Sequence, residues 1–174
     1  PKNVTLTTEG ATRAYNGQPL TAPGTITGFV EGEGAKVVTT KSQTAVGQTS
    51  NDEYNIVWNE NTTESNYDVK VGEIGTLTVT AQSIKDSEKI TVGTLSNVVY
   101  TGKKQEQEPA VTTQDGKTKL VKGTDYTLSY SEDTKNVGEV TVTVTGKGNY
   151  SGKVQRKYHI TKAPLTVTTE GATR

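Results

Sequence analysis

The two ends of this sequence carry nearly the same ten residues. Val4–Arg13 and Leu165–Arg174 agree at eight of ten positions, and the second segment follows the first by 161 residues. A fixed period of this kind is typical of tandem arrays, in which each repeat folds as a small unit. We therefore expect one full period and the opening strand of a further copy.

A weaker internal similarity divides the period into two modules. The first contains Tyr15-Asn-Gly17, Val46-Gly47 and Ser65-Asn66-Tyr67, and the second contains Tyr100-Thr-Gly102, Val137-Gly138 and Gly148-Asn149-Tyr150. The polar stretch Ser83–Lys89 separates two strand patterns and contains neither Gly nor Pro. These features predict a first module at residues 1–83, a second at 84–162, and the opening strand of the next copy at 163–174.

The chain shows the alternation of β-strands throughout and no sustained helical period. Turn formers such as Asn16-Gly17, Pro23-Gly24 and Asp115-Gly116 separate the alternating segments. The alternating segments are Val4–Thr8, Thr25–Val30, Lys36–Thr40, Tyr54–Trp58, Tyr67–Val71, Thr76–Thr80, Lys89–Val92, Asn97–Tyr100, Tyr126–Tyr130, Glu139–Val144 and Val154–Ile160. This pattern predicts an all-β chain of two small Ig-like β-sandwich modules arranged end to end, with β-grasp-like modules as the alternative.

Composition limits the classes of function. Only 30% of the residues are hydrophobic, so each core is expected to be thin and rich in β-branched side chains. The 19 basic residues balance the 19 acidic ones, which argues against nucleic-acid binding. In the most basic stretch, Lys153, Arg156 and Lys157 are predicted to lie on the solvent face of a strand. No segment is apolar enough for a membrane span, so we expect no membrane insertion in this fragment.

Residues that carry chemistry are sparse, and the sequence predicts a protein that is not an enzyme and needs no cofactor. There is no cysteine, and the single histidine, His159, has no second ligand or triad partner in the sequence. A calcium site built from carboxylates would lack the usual loop of alternating oxygen ligands. The acidic residues considered for such a site are Glu31, Glu33, Asp52, Glu53, Glu132 and Asp133.

The aromatic residues raise the question of glycan stacking. Trp58 shares a strand face with Ile56, which predicts that it faces the core. Tyrosines at strand starts are more often core residues with a hydrogen-bonded hydroxyl; these are Tyr67, Tyr100, Tyr126 and Tyr150. The Lys residues fall mostly at polar positions, which argues against a Lys–Asn isopeptide bond. Asn3, Asn61 and Asn149 begin glycosylation triplets of low specificity.

The chain resembles the MBG-type repeat domains of bacterial adhesins and other Gram-positive surface repeats. In the first module the resemblance depends on Tyr15-Asn-Gly17-Gln-Pro19-Leu20, Gly28-Phe29-Val30-Glu31-Gly32-Glu33, Val46-Gly47, Ser65-Asn66-Tyr67 and Gly75-Thr-Leu-Thr-Val79. In the second it depends on Val99-Tyr-Thr-Gly102, Leu120-Val-Lys-Gly-Thr-Asp-Tyr126, Asn136-Val-Gly138 and Gly146-Lys-Gly-Asn-Tyr-Ser-Gly152. Where many relatives have Tyr-Gly, this chain has Tyr15-Asn-Gly17. The resemblance implies a location on the bacterial surface and a stalk or adhesive role, and it supplies no catalytic residues.

Three functions follow as hypotheses. The first is a monomeric spacer repeat of a cell-surface adhesin, which contacts neighbouring repeats of its own chain and projects a distal binding domain. Anchoring to the cell wall would then come from regions outside this fragment. In the second, the repeat itself binds host mucin glycans or extracellular proteins such as immunoglobulin. The third is an accessory domain of a secreted carbohydrate-active enzyme. The sequence identifies no ligand-binding residue.

Overall fold

The computed structural model describes residues 1–171 and shows an all-β, sandwich-like protein, as the alternation predicts. Contacts divide the chain into two compact units, Pro1–Gln82 and Ser83 onward. The only helical segment within the described residues is a single 3₁₀ turn, Glu64–Asn66.

In the first unit the strands are β1 (Lys2–Thr8), β2 (Ala11–Ala14), β3 (Gly24–Thr27), β4 (Ala35–Thr39), β5 (Gly47–Ser50), β6 (Tyr54–Trp58), β7 (Tyr67–Ile74) and β8 (Thr76–Thr80). They form a five-stranded sheet of order β6-β4-β3-β1-β7 and a three-stranded sheet of order β2-β8-β5. The first strand is therefore central, with β3 antiparallel on one side and β7 parallel on the other.

Two core clusters of the first unit follow from the alternation of these strands. Val4 and Leu6 of β1 are buried with Ile26 and Tyr67, whereas Leu77 and Val79 of β8 belong to a second cluster. Trp58 and Ile56 pack against the first cluster, which confirms the prediction that Trp58 faces the core.

The chain passes from one sheet to the other at two glycines that lie side by side. Gly10 separates β1 from β2, and Gly75 separates β7 from β8. A Cβ atom on Gly75 would lie 2.1 Å from the carbonyl carbon of Glu9, and one on Gly10 would lie 2.9 Å from the carbonyl oxygen of Thr76. Only glycine permits so close an approach of two backbones.

Strand β9 (Gln82–Ser83) lies at the division between the units, and the strands that follow are β10 (Ile90–Val92), β11 (Val98–Val99), β12 (Val111–Thr113), β13 (Tyr126–Tyr130), β14 (Gly138–Gly146), β15 (Tyr150–Ser151) and β16 (Lys153–Thr161). The main sheet of the second unit has the order β11-β16-β14-β13, and β10 pairs separately with β12. Its last strand is therefore central, between the parallel β11 and the antiparallel β14.

The segment between the two strand patterns is a pair of turns and does not continue as one strand. Asp86 accepts backbone hydrogen bonds from Lys89 and Ile90 through its carbonyl oxygen, and its side chain accepts one from Glu88. Ile84 is buried in a core cluster of the second unit.

The segment predicted to open the next copy, residues 163–174, forms no strand between 163 and 171. Its last three residues lie outside the described part of the chain.

Candidate functional site

The most extensive feature of the first unit is a parallel ladder between its beginning and its end. Lys2 pairs with Tyr67 at one end of the ladder, Val4 pairs with Val69, and Leu6 pairs with Val71. Beyond the two glycines the ladder resumes, and at its other end Ala14 pairs with Thr80. The first and last strands thus lie side by side over almost their whole length.

The bend in this ladder is held by backbone and side-chain hydrogen bonds. The Gly75 N–H donates to both the carbonyl oxygen (2.9 Å) and the hydroxyl (3.1 Å) of buried Thr8. The side-chain amide of Asn51, which is fully buried, donates to the carbonyl oxygens of Glu9 and Ala22 at 3.0 Å each. The Asn51 N–H donates to Gly75 at 2.9 Å. Polar backbone groups at the bend are therefore satisfied inside the protein, which burial requires.

The second unit also has a parallel pair between an early strand and its last strand. Val98 pairs with Ile160 and Val99 with Thr161, and the Tyr100 N–H donates to the carbonyl oxygen of Thr161 at 2.8 Å. The pair is extended by the side chain of Asn97, which accepts a hydrogen bond from the His159 N–H at 2.9 Å.

Arg156 connects β16 with the end of β10. Its Nε donates to the carbonyl oxygens of Val92 and Gly93 at 3.2 Å each, and its Nη2 donates to Val92 at 2.8 Å. The prediction that Arg156 lies on the solvent face is wrong. It is half-buried on the same side of the strand as Val154 and Tyr158, because the backbone carbonyls there offer the guanidinium its acceptors.

A cleft of about 570 Å³ opens on the second unit. Its floor is apolar, from Ile84, Ile90 and Val92, and two exposed lysines, Lys85 and Lys153, lie on its rim. Arg156 also lines the cleft, but its guanidinium is engaged by the backbone. The lysines therefore supply the positive charge that an anionic ligand would meet.

The aromatic residues of the first unit form a structural cluster. The rings of Trp58 and Tyr67 stack with centroids 6.2 Å apart, and Phe29 meets both edge-on. The Tyr67 hydroxyl donates to the Glu33 carboxylate at 2.7 Å. Burial, together with this hydrogen bond, raises the pKa of Tyr67. These contacts agree with the prediction that Tyr67 is a core residue with a bonded hydroxyl.

The carboxylates considered for calcium lie in separate interactions. Glu53 pairs with Lys41 at 2.5 Å. Asp133 caps a turn by accepting from the Lys135 and Asn136 backbone, and these hydrogen bonds lower its pKa. Among the described residues no three His, Cys, Asp or Glu side chains are grouped as metal ligands.

His159 is exposed, and its Nε2 lies 3.9 Å from a Glu139 carboxylate oxygen. The side chain of Asn61, one of the three glycosylation candidates, donates to the carbonyl oxygen of Gly32. Neither arrangement assembles a reactive group.

No protein-family model matches this sequence, and no curated protein matches it. Within residues 1–171 no helix has the length and apolar character needed to cross a bilayer.

Proposed function

We propose that this chain is a spacer repeat of a bacterial cell-surface adhesin, in which each unit resists extension through its parallel ladder. The MBG-like motifs and the 161-residue repeat support an array on the cell surface. The observation that carries the proposal is the ladder of the first unit, from Lys2 beside Tyr67 to Ala14 beside Thr80.

The direction of this ladder determines how it responds to tension. The chain enters the first unit at the Lys2 end of the ladder and leaves β8 at the opposite end, at Thr80. A pull on the chain therefore draws the two paired strands past each other along their own axes. Such a force loads the inter-strand hydrogen bonds together, whereas a force across the strands would open them one at a time. A spacer that holds a distal domain under flow needs hydrogen bonds that are loaded together.

The second unit has a shorter parallel pair between its last strand and β11, a strand that β9 and β10 precede in the chain. The parallel pairing of β11 with β16 comprises two residue pairs, and the Arg156 guanidinium adds hydrogen bonds to Val92 and Gly93. Tension on this unit would load both sets of bonds. Each unit therefore connects an early segment to its final strand.

Single-molecule pulling on the full chain tests the proposal. Because the chain has no cysteine, handles can be attached at introduced thiols. Lys2→Cys with Thr80→Cys pulls the ladder along its strands, and Lys2→Cys with Asp68→Cys pulls at neighbouring residues of one end. We expect a clearly higher unfolding force for the first pair at equal loading rate. Equal forces for the two pairs would contradict a load-bearing role.

A second candidate, binding of an acidic host glycan, is favoured by the cleft with Lys85 and Lys153. Ammonium groups on the rim would pair with the carboxylate or sulfate of such a sugar, and the apolar floor would contact its ring. A mucin-glycan array probed with the full chain and with Lys85→Ala/Lys153→Ala separates the candidates. Binding that the double substitution abolishes would favour the ligand role, and no binding would favour the spacer.

A further inference from the structure

The segment 165–171 closely matches the sequence of β1 and the bend that follows it, but it forms no strand. It corresponds to residues 4–10, and its two apolar side chains, Leu165 and Val167, are 87% and 77% exposed. The matching side chains in β1, Val4 and Leu6, are 1% and 0% exposed. The same sequence pattern is therefore buried in one place and presented to solvent in the other.

The site occupied by β1 makes specific demands on its occupant. Positions 4 and 6 must be apolar, because they pack against Ile26 and Tyr67. Position 8 must offer a hydroxyl to the Gly75 N–H, and position 9 must present its carbonyl oxygen to Asn51. Position 10 must be glycine, since a Cβ there would lie 2.9 Å from a backbone oxygen.

The segment 165–171 meets each of these demands. Thr169, Glu170 and Gly171 stand where β1 and its bend have Thr8, Glu9 and Gly10. The apolar pair is present in reversed order, as Leu165 and Val167, so that the summed side-chain volume is unchanged. Cores tolerate apolar exchanges that conserve total volume.

We propose that residues 165–171 act as a replacement first strand, which docks between β3 and β7 of a second copy of this chain. The docked strand would run antiparallel to β3 and parallel to β7, as β1 does. The inference rests on the sequence similarity of the two segments and on the geometry of the site, and it does not depend on the spacer function. It assigns to this segment a defined partner and a defined register.

Displacement of β1 exchanges one set of contacts for an equivalent set, while association costs translational and rotational freedom. The unaltered chain is therefore expected to remain monomeric at low concentration. Docking should dominate when the recipient's own β1 is disabled. A contact of this type joins the end of one copy to the start of another, and such head-to-tail contacts build chains or rings.

The first test disables the strand inside the full chain. Leu6→Asp places a carboxylate at a fully buried position, so β1 cannot occupy its site. We expect this variant to form oligomers by light scattering, with the first unit folded according to the fluorescence of Trp58, the single tryptophan. Leu6→Asp/Val167→Asp should be monomeric with that unit unfolded. The matched control Leu6→Asp/Val121→Asp, altered at another exposed valine, should still assemble.

Three outcomes of this test would overturn the proposal. In the first, Leu6→Asp leaves the first unit unfolded whatever the oligomeric state. In the second, Leu6→Asp/Val167→Asp assembles as readily as Leu6→Asp. In the third, Leu6→Asp is a folded monomer, which would show that the site is filled within one chain.

The second test measures the register by a disulfide between chains. Thr7 and Thr25 are paired across β1 and β3 with their hydroxyl oxygens 3.1 Å apart, and Thr168 is the counterpart of Thr7. A recipient carrying Leu6→Asp/Val167→Asp/Thr25→Cys is mixed with a Thr168→Cys donor under oxidised glutathione. We expect several-fold more mixed disulfide than with Thr27→Cys in place of Thr25→Cys, because diagonal positions lie about 7–8 Å apart. Equal yields at the two positions would contradict the proposed register.

Discussion

The side-chain amide of Asn51 donates a hydrogen bond to the carbonyl oxygen of Glu9 at 3.0 Å, joining residues that are 42 positions apart in the sequence. The same nitrogen donates to Ala22 at 3.0 Å. One fully buried amide thus fixes the bend of the first strand against a loop and against the segment that precedes β6.

Asn51→Ala should destabilise the first unit by about 1–3 kcal/mol, because the part-buried Glu9 carbonyl oxygen and the buried Ala22 carbonyl oxygen each lose one hydrogen bond. The Ala22 oxygen keeps the hydrogen bond from the Thr39 hydroxyl. Urea unfolding followed by Trp58 fluorescence measures this change. Asn55→Ala, at an exposed position of β6, is the matched control and should change stability little. Equal effects of the two substitutions would show that the Asn51 amide is dispensable.

Gly138→Val should destabilise the second unit by about 1 kcal/mol or more, because the backbone there has a positive φ of 157° that β-branched residues avoid. A Cβ at Gly138 would meet no atom within 4 Å, so the cost is conformational and does not arise from a clash.

Gly47→Val, at a φ of 148°, should also destabilise the first unit by about 1 kcal/mol or more, and here a Cβ would in addition lie 3.1 Å from the Nε2 of Gln43, which would have to move. Trp58 fluorescence reports the first unit alone, so its transition should move for Gly47→Val and stay in place for Gly138→Val. A shift of the tryptophan transition in both variants would contradict independent effects on the two units.

Much of the strand content could be predicted from alternation, and the partners of the strands could not. Thr76–Thr80 alternates apolar with polar residues, and the structure buries Leu77 and Val79 as predicted. β5 contains only Gly, Gln, Thr and Ser, so it carries no apolar signal; it is a strand because it pairs with β8. The alternation of side chains along a strand also does not indicate whether the neighbouring strand is parallel or antiparallel. The parallel ladder of the first unit could therefore not be predicted from the sequence.

The side-chain network of the second unit was equally hidden in the sequence. Arg156 stands among lysines in a basic stretch, and its residue type suggested solvent exposure. Its position in the alternation of β16 matches that of Tyr158, which is buried. The acceptors that stabilise a guanidinium there are backbone carbonyls 63 and 64 residues earlier, and sequence spacing does not reveal such a contact.

Stability of the second unit should fall as the pH rises from about 10 to about 12. Burial, together with the nearby carboxylates of Glu108 and Glu106, raises the pKa of Tyr130 to about 12. In an unfolded chain a tyrosine ionises near pH 10. Above that pH the unfolded state therefore binds fewer protons than the folded state, and the free energy of unfolding decreases with pH.

Tyr130→Phe should reduce this alkaline loss. At neutral pH it should also cost about 0.5–1.5 kcal/mol, because the Tyr130 hydroxyl donates to the carbonyl oxygen of Gln107 at 2.9 Å. Urea unfolding at a series of pH values gives both quantities. An unchanged alkaline slope in the variant would show that Tyr130 does not titrate in this range.

Thermal unfolding should not respond to reductant or to EDTA. The sequence contains no cysteine, and residues 1–171 contain no group of three metal-ligating side chains. Differential scanning calorimetry with and without each reagent checks this expectation. A lower melting temperature in EDTA would point to a cation bound by the acidic loops.

Arg156→Ala should destabilise the second unit by about 1–3 kcal/mol, because it removes the donors to the carbonyl oxygens of Val92 and Gly93. Arg156→Lys should have an intermediate effect, since one ammonium lacks the planar set of donors that a guanidinium offers. Lys157→Ala is the matched control. Lys157 is exposed and pairs with Glu139 at 2.8 Å, and exposed ion pairs contribute about 0–1 kcal/mol.

Urea unfolding followed by near-ultraviolet circular dichroism ranks these three variants, and the expected order of destabilisation is Arg156→Ala, then Arg156→Lys, then Lys157→Ala. The unfolding force of the second unit should follow the same order, because the guanidinium joins β16 to the end of β10 beside the short ladder of β11. An Arg156 variant that loses thermodynamic stability but keeps its unfolding force would show that Arg156 stabilises the folded unit through packing and does not add to its resistance to pulling. A Lys157→Ala effect as large as that of Arg156→Ala would contradict the proposed contribution of the guanidinium.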